Sequence, residues 1–166
     1  MTFASIRAGS AIFLDANILV YHLTAHPTLG QVCTKLVKDI EQKVISGFCS
    51  THVMTEIAHR LMLIEASRKL GWPLAGSLKR LKKRPQEISK LTDFRLAIQQ
   101  IPKTGIQVLT IGPDLIDAAA AISQQAELLS NDALIVAVMQ KNGLNQLASH
   151  DKGLDKVSGI IRYDPS

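Results

Sequence analysis

The sequence predicts an α/β protein in which helices cover both faces of a parallel sheet. Short apolar runs of strand length alternate along the chain with longer segments whose apolar residues recur at helical spacing. This alternation is typical of strand–helix–strand units, whose successive strands run parallel. The first strand ends at Asp15, and open α/β folds bind ligands at the carboxyl edge of the sheet. No repeat or linker divides the chain, so we expect a single domain over residues 1–166.

The strands are expected where apolar or β-branched residues form short runs between turn residues. Five such runs lie at residues 11–14, 48–50, 106–111, 147–149 and 160–163. The helices are expected where apolar residues recur every three or four positions between capping and breaking residues. These segments lie at 17–23, 28–46, 51–69, 74–81, 86–100, 113–121 and 133–139. The last of them is apolar almost all round, which predicts a buried helix.

The longest predicted helix, at residues 51–69, carries a carboxylate beside its buried face. Val53, Ile57 and Leu61 recur along one face of this helix, and Glu56 lies at the border of that face. A carboxylate in such a position costs desolvation free energy unless a partner compensates its charge. Glu56 is therefore a candidate functional residue.

A basic segment follows this helix. Trp72 lies between Gly71 and Pro73, which break the chain, and the next two predicted helices are expected to form a helical hairpin inserted over about 72–104. Trp72 is expected to anchor this hairpin. Its five clustered cations could contact the phosphates of a nucleic acid or form a solvated helix face: Lys79, Arg80, Lys82, Lys83 and Arg84.

Composition narrows the class of protein. Hydrophobic residues make up 46% and aromatic residues 4%, which predicts an aliphatic core and argues against disorder. No apolar run approaches the roughly 18 residues that span a bilayer, and residues 1–7 lack a signal peptide's apolar centre. Cys33 and Cys49 have no metal-binding spacing, so we expect reduced thiols in a cytoplasmic protein. The net charge of +5 favours a polyanionic partner.

Four acids occupy positions that could meet at one edge of the sheet: Asp15, Glu56, Asp132 and Asp151. Asp15 and Asp151 each follow a strand, whereas Asp132 opens the buried helix. Clustered carboxylates repel one another, and a divalent cation removes that repulsion. Ligand sets made only of oxygen suit Mg²⁺ or Mn²⁺, and such an ion can activate a water molecule for attack on a phosphodiester.

Each acid also has a structural alternative. Asp132 could cap its helix, and Asp15 could be a turn residue. Asp151 could form a turn with the two residues that follow it. Glu56 could pair with Arg60, four residues later on the same helix.

Three histidines lie close to these acids in the sequence. His52 and His59 share a helical face with Glu56, which could suggest a transition-metal site, but the chain has no second Glu-x-x-His segment. We expect that face to hold satisfied polar side chains. His150, beside Asp151, could act as a general base, although an activated water would make such a base unnecessary.

Four short segments resemble the motif regions of the PIN-domain nucleases, and most closely those of the VapC-type toxins. They are residues 14–19, 55–56, 131–135 and 148–151. The resemblance that these segments carry covers nearly the whole chain. The resemblance implies that Asp15, Glu56 and Asp132 are the core acids and that Asp151 is a more variable fourth. It implies that Asn17 orients Asp15 or a bound water, and Ser149 stands where the family often has Thr or Ser. Leu154 stands where the family usually has an aromatic residue.

The resemblance also implies a fold and an activity. The fold would be a PIN-like three-layer α/β/α arrangement with about five parallel strands. The activity would be Mg²⁺- or Mn²⁺-dependent endonucleolytic cleavage of RNA by the toxin of a type II toxin–antitoxin pair. The protein would form a homodimer and bind a cognate antitoxin, whose acidic tail is a second possible partner for the basic segment.

The sequence is also compatible with other functions. A PIN-domain RNA-processing nuclease outside a toxin system would use the same chemistry, and a PIN-like scaffold would bind RNA or protein without cutting it. A haloacid-dehalogenase-type phosphatase also places an acid after its first strand, but it needs a second acid where this chain has Asn17. A receiver domain is disfavoured because it needs an acid pair after the first strand.

Overall fold

The computed structural model describes residues 1–166 and contains one five-stranded parallel sheet. The strands are β1 (Ala11–Leu14), β2 (Ser46–Ser50), β3 (Gln107–Leu109), β4 (Gln146–Ala148) and β5 (Ile161–Tyr163), in the order β3-β2-β1-β4-β5. The helices are α1 (Ala16–Leu23), α2 (Gly30–Glu41), α3 (Thr51–Leu70), α4 (Ser77–Lys83), α5 (Asp93–Gln100), α6 (Pro113–Ala126) and α7 (Ser130–Lys141). The predicted α/β/α architecture and its five parallel strands are confirmed.

The strand order places β1 at the centre of the molecule. Its last three residues are fully buried and belong to a core of 34 apolar side chains, as the aliphatic composition predicts. The seven residues from Ala133 to Met139 in α7 are also buried, which confirms the predicted buried helix. Strands β2 and β3 lie on one side of β1, and β4 and β5 lie on the other. The strand order therefore reverses direction at β1, and α/β folds bind ligands at the carboxyl end of such a switch point.

The segment between α3 and β3 differs from the expected pair of helices. The predicted helix at 86–100 is wrong, because the chain forms a 3₁₀ segment at Pro85–Lys90 and then a separate helix, α5. Leu91 is extended between them, with its side chain buried in a small second cluster beside Ala66 and Leu81. The helix predicted at 74–81 begins three residues later, at Ser77.

Helix α2 is shorter than the predicted segment at 28–46. It ends at Glu41, and Lys43 adopts a left-handed backbone conformation with φ of 59° that a helix cannot continue. Val44, which the spacing places in the apolar stripe, is consequently exposed. The next residue, Ile45, is buried instead and leads into β2.

Two further observations concern the helices and the two cysteines. None of the helices is both long enough and apolar enough to cross a membrane. Cys33 and Cys49 are free, buried thiols, and burial raises the pKa of each to about 12. Both cysteines are therefore unreactive packing residues.

Candidate active site

Asp15 follows β1 directly and begins α1. Its side chain is only 7% exposed and accepts a hydrogen bond from the backbone N–H of Ala16 at 2.6 Å, so it serves as the helix cap. Its second carboxylate oxygen accepts hydrogen bonds from the Asn17 amide and, at 2.7 Å, from the Ser149 hydroxyl. Asp15, for which a turn was the structural alternative, instead caps helix α1, and the neighbouring groups also fix the direction of its carboxylate.

Ser149 and Asn17 connect the first and fourth motif regions. In the pairing of β1 with β4, Leu14 lies opposite Ala148, so the next residues, Asp15 and Ser149, emerge side by side. Ser149 is fully buried, and its Oγ accepts the backbone N–H of Asp151 at 3.0 Å. Asn17 Oδ1 accepts the backbone N–H of residue 150 at 3.1 Å. These bonds hold the two strand ends in one rigid arrangement.

The four predicted acids line one cleft of about 330 Å³. Asp15 and Asp151 come from the ends of β1 and β4, whereas Glu56 projects from α3, which begins at the end of β2. Asp132 is the third residue of α7, whose other end leads into the start of β4, so its first turn lies at the carboxyl edge of the sheet. The remaining lining residues are Asn17, Arg60, Leu129, Ser130, Asn131 and Ile135.

Two of these acids have a raised pKa. Burial raises the pKa of Asp15, the Ser149 hydrogen bond lowers it, and the negative charge of Glu56 raises it again, with a net increase. Burial also raises the pKa of Asp132, and the charges of Asp151 and Glu56 raise it further. Like charges therefore act on one another across the cleft, as clustered carboxylates do in the absence of a cation.

Asp132 differs from the other three acids because no protein group donates a hydrogen bond to it. The cap position of α7 belongs to Leu129, so the alternative that Asp132 caps this helix is wrong. Glu56 pairs with Arg60 at 2.6 Å, and Asp151 accepts the backbone N–H of Gly153 at 2.8 Å, so both of those structural alternatives hold. A half-buried carboxylate without a protein partner is the group in this cleft most in need of a cation.

The donor set fits a hard divalent cation, although no three acidic or histidine side chains converge on a common point in this structure. Carboxylates are the only titratable ligands in the cleft, and the amide of Asn17 adds another oxygen donor. Such a set favours Mg²⁺ or Mn²⁺ over Zn²⁺. The mutual repulsion described above is the electrostatic cost that a bound cation would remove.

The histidines lie outside the cleft. His150 bonds through Nδ1 to Asp164 at 3.1 Å, and its ring packs edge-on against Tyr21. His59 is exposed, and the Nε2 atom of His52 is buried without a hydrogen-bond partner, so the expectation of a satisfied polar face is wrong for His52. No group of three potential ligands that could hold a metal forms around either residue.

Arg60 is a cleft residue that sequence reasoning treated only as a partner of Glu56. It is the one cation lining the cleft, and its charge lowers the pKa of Asp15. Its position four residues after Glu56 on α3 was the available signal. The contributions of Leu129, Ser130 and Ile135 had no comparable signal, because the packing of α7 against the sheet decides which residues of its first turns face the cleft.

Solved structures share this architecture. The chain superposes on VapC20 of Mycobacterium tuberculosis, described as a sarcin–ricin loop cleaving toxin, with a TM-score of 0.58 and 19% identity. That match covers 90% of this chain and 96% of the other. A crystal structure of VapBC2 from Rickettsia felis, bound to a DNA fragment from their promoter, gives a TM-score of 0.59 and 12% identity over 93% of this chain and 98% of the other. At these identities the likeness establishes the fold.

Sequence comparison gives the family. The chain is 29% identical over 147 residues to Ribonuclease VapC2 of Methanocaldococcus jannaschii, a match that covers 88% of each protein. The model of the PIN domain matches residues 12–160, a span that includes all four acids. This protein belongs to the PIN-domain family.

Proposed function

We propose that the protein is a metal-dependent endoribonuclease that acts as the toxin of a type II toxin–antitoxin pair. The observation that carries the proposal is that four carboxylates line one cleft at the switch point of a PIN-domain sheet. A relative of similar length is named a ribonuclease, which supports RNA as the substrate. The basic net charge of +5 suits the same polyanion.

The metal ligands in this proposal are Asp15, Asp132 and Asp151, with Glu56 as a further ligand or as a base. A Mg²⁺ or Mn²⁺ ion bound by these carboxylates would supply the Lewis acidity that activates water and stabilises negative charge on the phosphate.

The protein's own side chains have distinct tasks in this reaction. Ser149 and Asn17 hold the carboxylate of Asp15 in one orientation, which preorganises the site. Arg60 places a positive charge beside Glu56, where it can attract the phosphate of the substrate. Asp132 needs no side-chain rearrangement before it can accept a ligand, because no protein group occupies its oxygens.

The proposed partners are RNA, a cognate antitoxin and a second copy of this chain. A solved structure with the same fold is described as a toxin–antitoxin complex from Klebsiella pneumoniae, which supports an antitoxin partner here. Leu129 lies on the rim of the cleft and is 78% exposed, and a partner chain would cover such a residue. The proposed location is the cytoplasm, where an RNA-cleaving toxin meets its substrate.

The test is cleavage of single-stranded RNA by the purified protein with Mg²⁺ or Mn²⁺. Asp15→Asn is expected to lower the rate by at least about 100-fold, since it removes one charged ligand of a preorganised site. Asp117→Asn, at an exposed acid of α6, is the matched control and should leave the rate unchanged. Activity that persists in excess EDTA, or in the Asp15→Asn protein, would contradict the proposal. Binding of RNA without cleavage would favour the scaffold function instead.

A further inference from the structure

A second polar cavity lies on the segment between α3 and α5, away from the acidic cleft. It has a volume of about 310 Å³ and is lined by Trp72, Arg80, Lys83 and Arg84. We call these four residues the Trp72 site. Helix α3 runs for 14 residues from Glu56 to its end at Leu70, so the two sites are separated by about 20 Å along its axis.

The three cations of the Trp72 site share one face of the chain. Arg80, Lys83 and Arg84 are spaced at i, i+3 and i+4 on α4 and its end, and neighbours at this spacing lie on the same side of a helix. Lys79 and Lys82 do not line the cavity. The structure therefore divides the basic segment into three cations that line a cavity together with an aromatic ring and two that do not.

Trp72 is held firmly but keeps part of its surface on the cavity. Its backbone carbonyl accepts the Ser67 hydroxyl at 2.6 Å, and its ring packs against the small second cluster. Trp72 is half-buried, and the part of its surface that stays accessible lines the cavity. The Arg80 guanidinium carbon lies 5.9 Å from the ring centroid. That distance is at the outer limit of a cation–π contact.

None of the five cations in this segment forms an ion pair. Arg68 and Lys69, at the end of α3, are both paired with acids. The only acid between residues 70 and 92 is Glu87, and Lys90 pairs with it at 2.7 Å. The repulsion within the basic segment is therefore not relieved inside the chain, and a polyanion is the ligand that would relieve it.

We propose that the Trp72 site binds single-stranded RNA by stacking one base on Trp72 while Arg80, Lys83 and Arg84 contact the adjacent phosphates. The proposal rests on the proposed function, because it assigns a second contact to the same substrate. An aromatic platform beside clustered cations is the combination by which proteins bind single strands without reading their sequence. An acidic protein segment would pair with the cations but would not need the part of the Trp72 ring that faces the cavity.

The experiment uses Trp72, the only tryptophan in the chain, as its own reporter. The full-length protein is titrated with a single-stranded oligoadenylate in EDTA, so that binding is measured without cleavage. Saturable quenching of the tryptophan emission is expected, with a salt dependence of binding that reflects about 0.7 released counterions per phosphate contact. Absence of quenching would overturn the Trp72 site and leave cleavage at the acidic cleft untouched.

Two double variants of equal charge test the geometry. Lys83→Gln with Arg84→Gln should weaken binding about tenfold and lower the salt slope by about 1.4, because both residues line the cavity. Lys79→Gln with Lys82→Gln removes the same charge from the same segment and should weaken binding less than threefold. If the two double variants weaken RNA binding equally, only the overall positive charge of the segment matters, and the proposed site is overturned.

The aromatic contribution is tested with a fluorescent oligoadenylate and its anisotropy. Trp72→Leu should weaken binding about tenfold, whereas Trp72→Phe should keep most of the affinity, since a base can stack on phenylalanine. Thermal unfolding verifies that both variants are folded. Equal affinity in both variants would overturn base stacking. Equal binding of a polyglutamate peptide of matched charge would overturn the assignment to RNA in favour of an acidic protein partner.

Discussion

Helix α3 carries two acids that have opposite surroundings. Glu65 is 3% exposed and accepts hydrogen bonds from the backbone N–H groups of residues 92, 93 and 94, at 2.8 to 3.0 Å, and pairs with Lys69 at 2.6 Å. Glu56, nine residues earlier, faces the cleft beside acids that have too few partners. Burial raises the pKa of Glu65, but its hydrogen bonds outweigh that effect and lower the pKa to about 2. The pKa of Asp132 is shifted in the other direction.

This difference separates a structural carboxylate from the candidate catalytic ones. Glu65 satisfies the first N–H groups of α5 and adds a negative charge at the positive end of that helix, so it connects α3 to the segment that follows. The cleft acids instead repel one another, which is unfavourable for the free protein. A surplus of charge that the fold does not neutralise points to a ligand.

The largest effect on stability is expected from Glu65→Gln. The variant loses the charge that Lys69 pairs with, and its amide nitrogen cannot accept the N–H of Phe94. Because this leaves a partly buried donor unpaired and removes a buried charge from its ion pair, we expect a loss of about 3 kcal/mol in the free energy of unfolding, measured with urea. Glu87→Gln, which removes a carboxylate paired only with the exposed Lys90, is the control and should change stability by less than about 1 kcal/mol. A loss equal to that of the control would contradict the structural role.

The pH dependence of stability should distinguish Glu65 from the cleft acids. The pKa of Glu65 is lower in the folded protein than its ordinary value of 4.5, so its contribution is fully present above about pH 4.5 and is lost as pH falls toward 2. The stability difference between the parent protein and Glu65→Gln should therefore be constant above pH 5 and shrink below 4.5. Urea unfolding from pH 3 to pH 7 measures this difference. A difference that grows as the pH falls would contradict the assignment.

A smaller effect on stability is expected from Ser149→Ala. The substitution removes the donor to Asp15 and leaves the backbone N–H of Asp151 without its acceptor, at a cost of about 1 to 2 kcal/mol. The rate of RNA cleavage should fall about tenfold, because groups that orient metal ligands have effects of this size. Ser123→Ala, which removes a single hydroxyl bond to the carbonyl of Leu128, is the control for stability alone. A full rate in Ser149→Ala would remove Ser149 from the site.

The sequence predicted the sheet well because each strand lies within or overlaps a short run of apolar or β-branched residues. The positions of Asp15, Asp132 and Asp151 were predictable as well. These acids follow strands or open a buried helix, and they therefore lie near one edge of the sheet. Glu65 was not predicted, because its partners are backbone N–H groups 27 to 29 residues away and leave no pattern in the sequence. The break at Leu91, between the 3₁₀ segment and α5, depends on the same hydrogen bonds to Glu65. The helical insert over 72–104 within one domain stays a prediction.

The most direct test of the central claim is thermal unfolding with and without Mn²⁺. A cation that binds the folded protein stabilises it by an amount that reaches about 2.7 kcal/mol at 100 times the dissociation constant. The account predicts that Mn²⁺ raises the melting temperature of the parent protein and of Glu65→Gln by similar amounts. In Asp132→Asn most of that increase should disappear, although the variant alone is no less stable than the parent. An equal increase in Asp132→Asn, or none in the parent protein, would contradict the assignment of the cleft as a metal site.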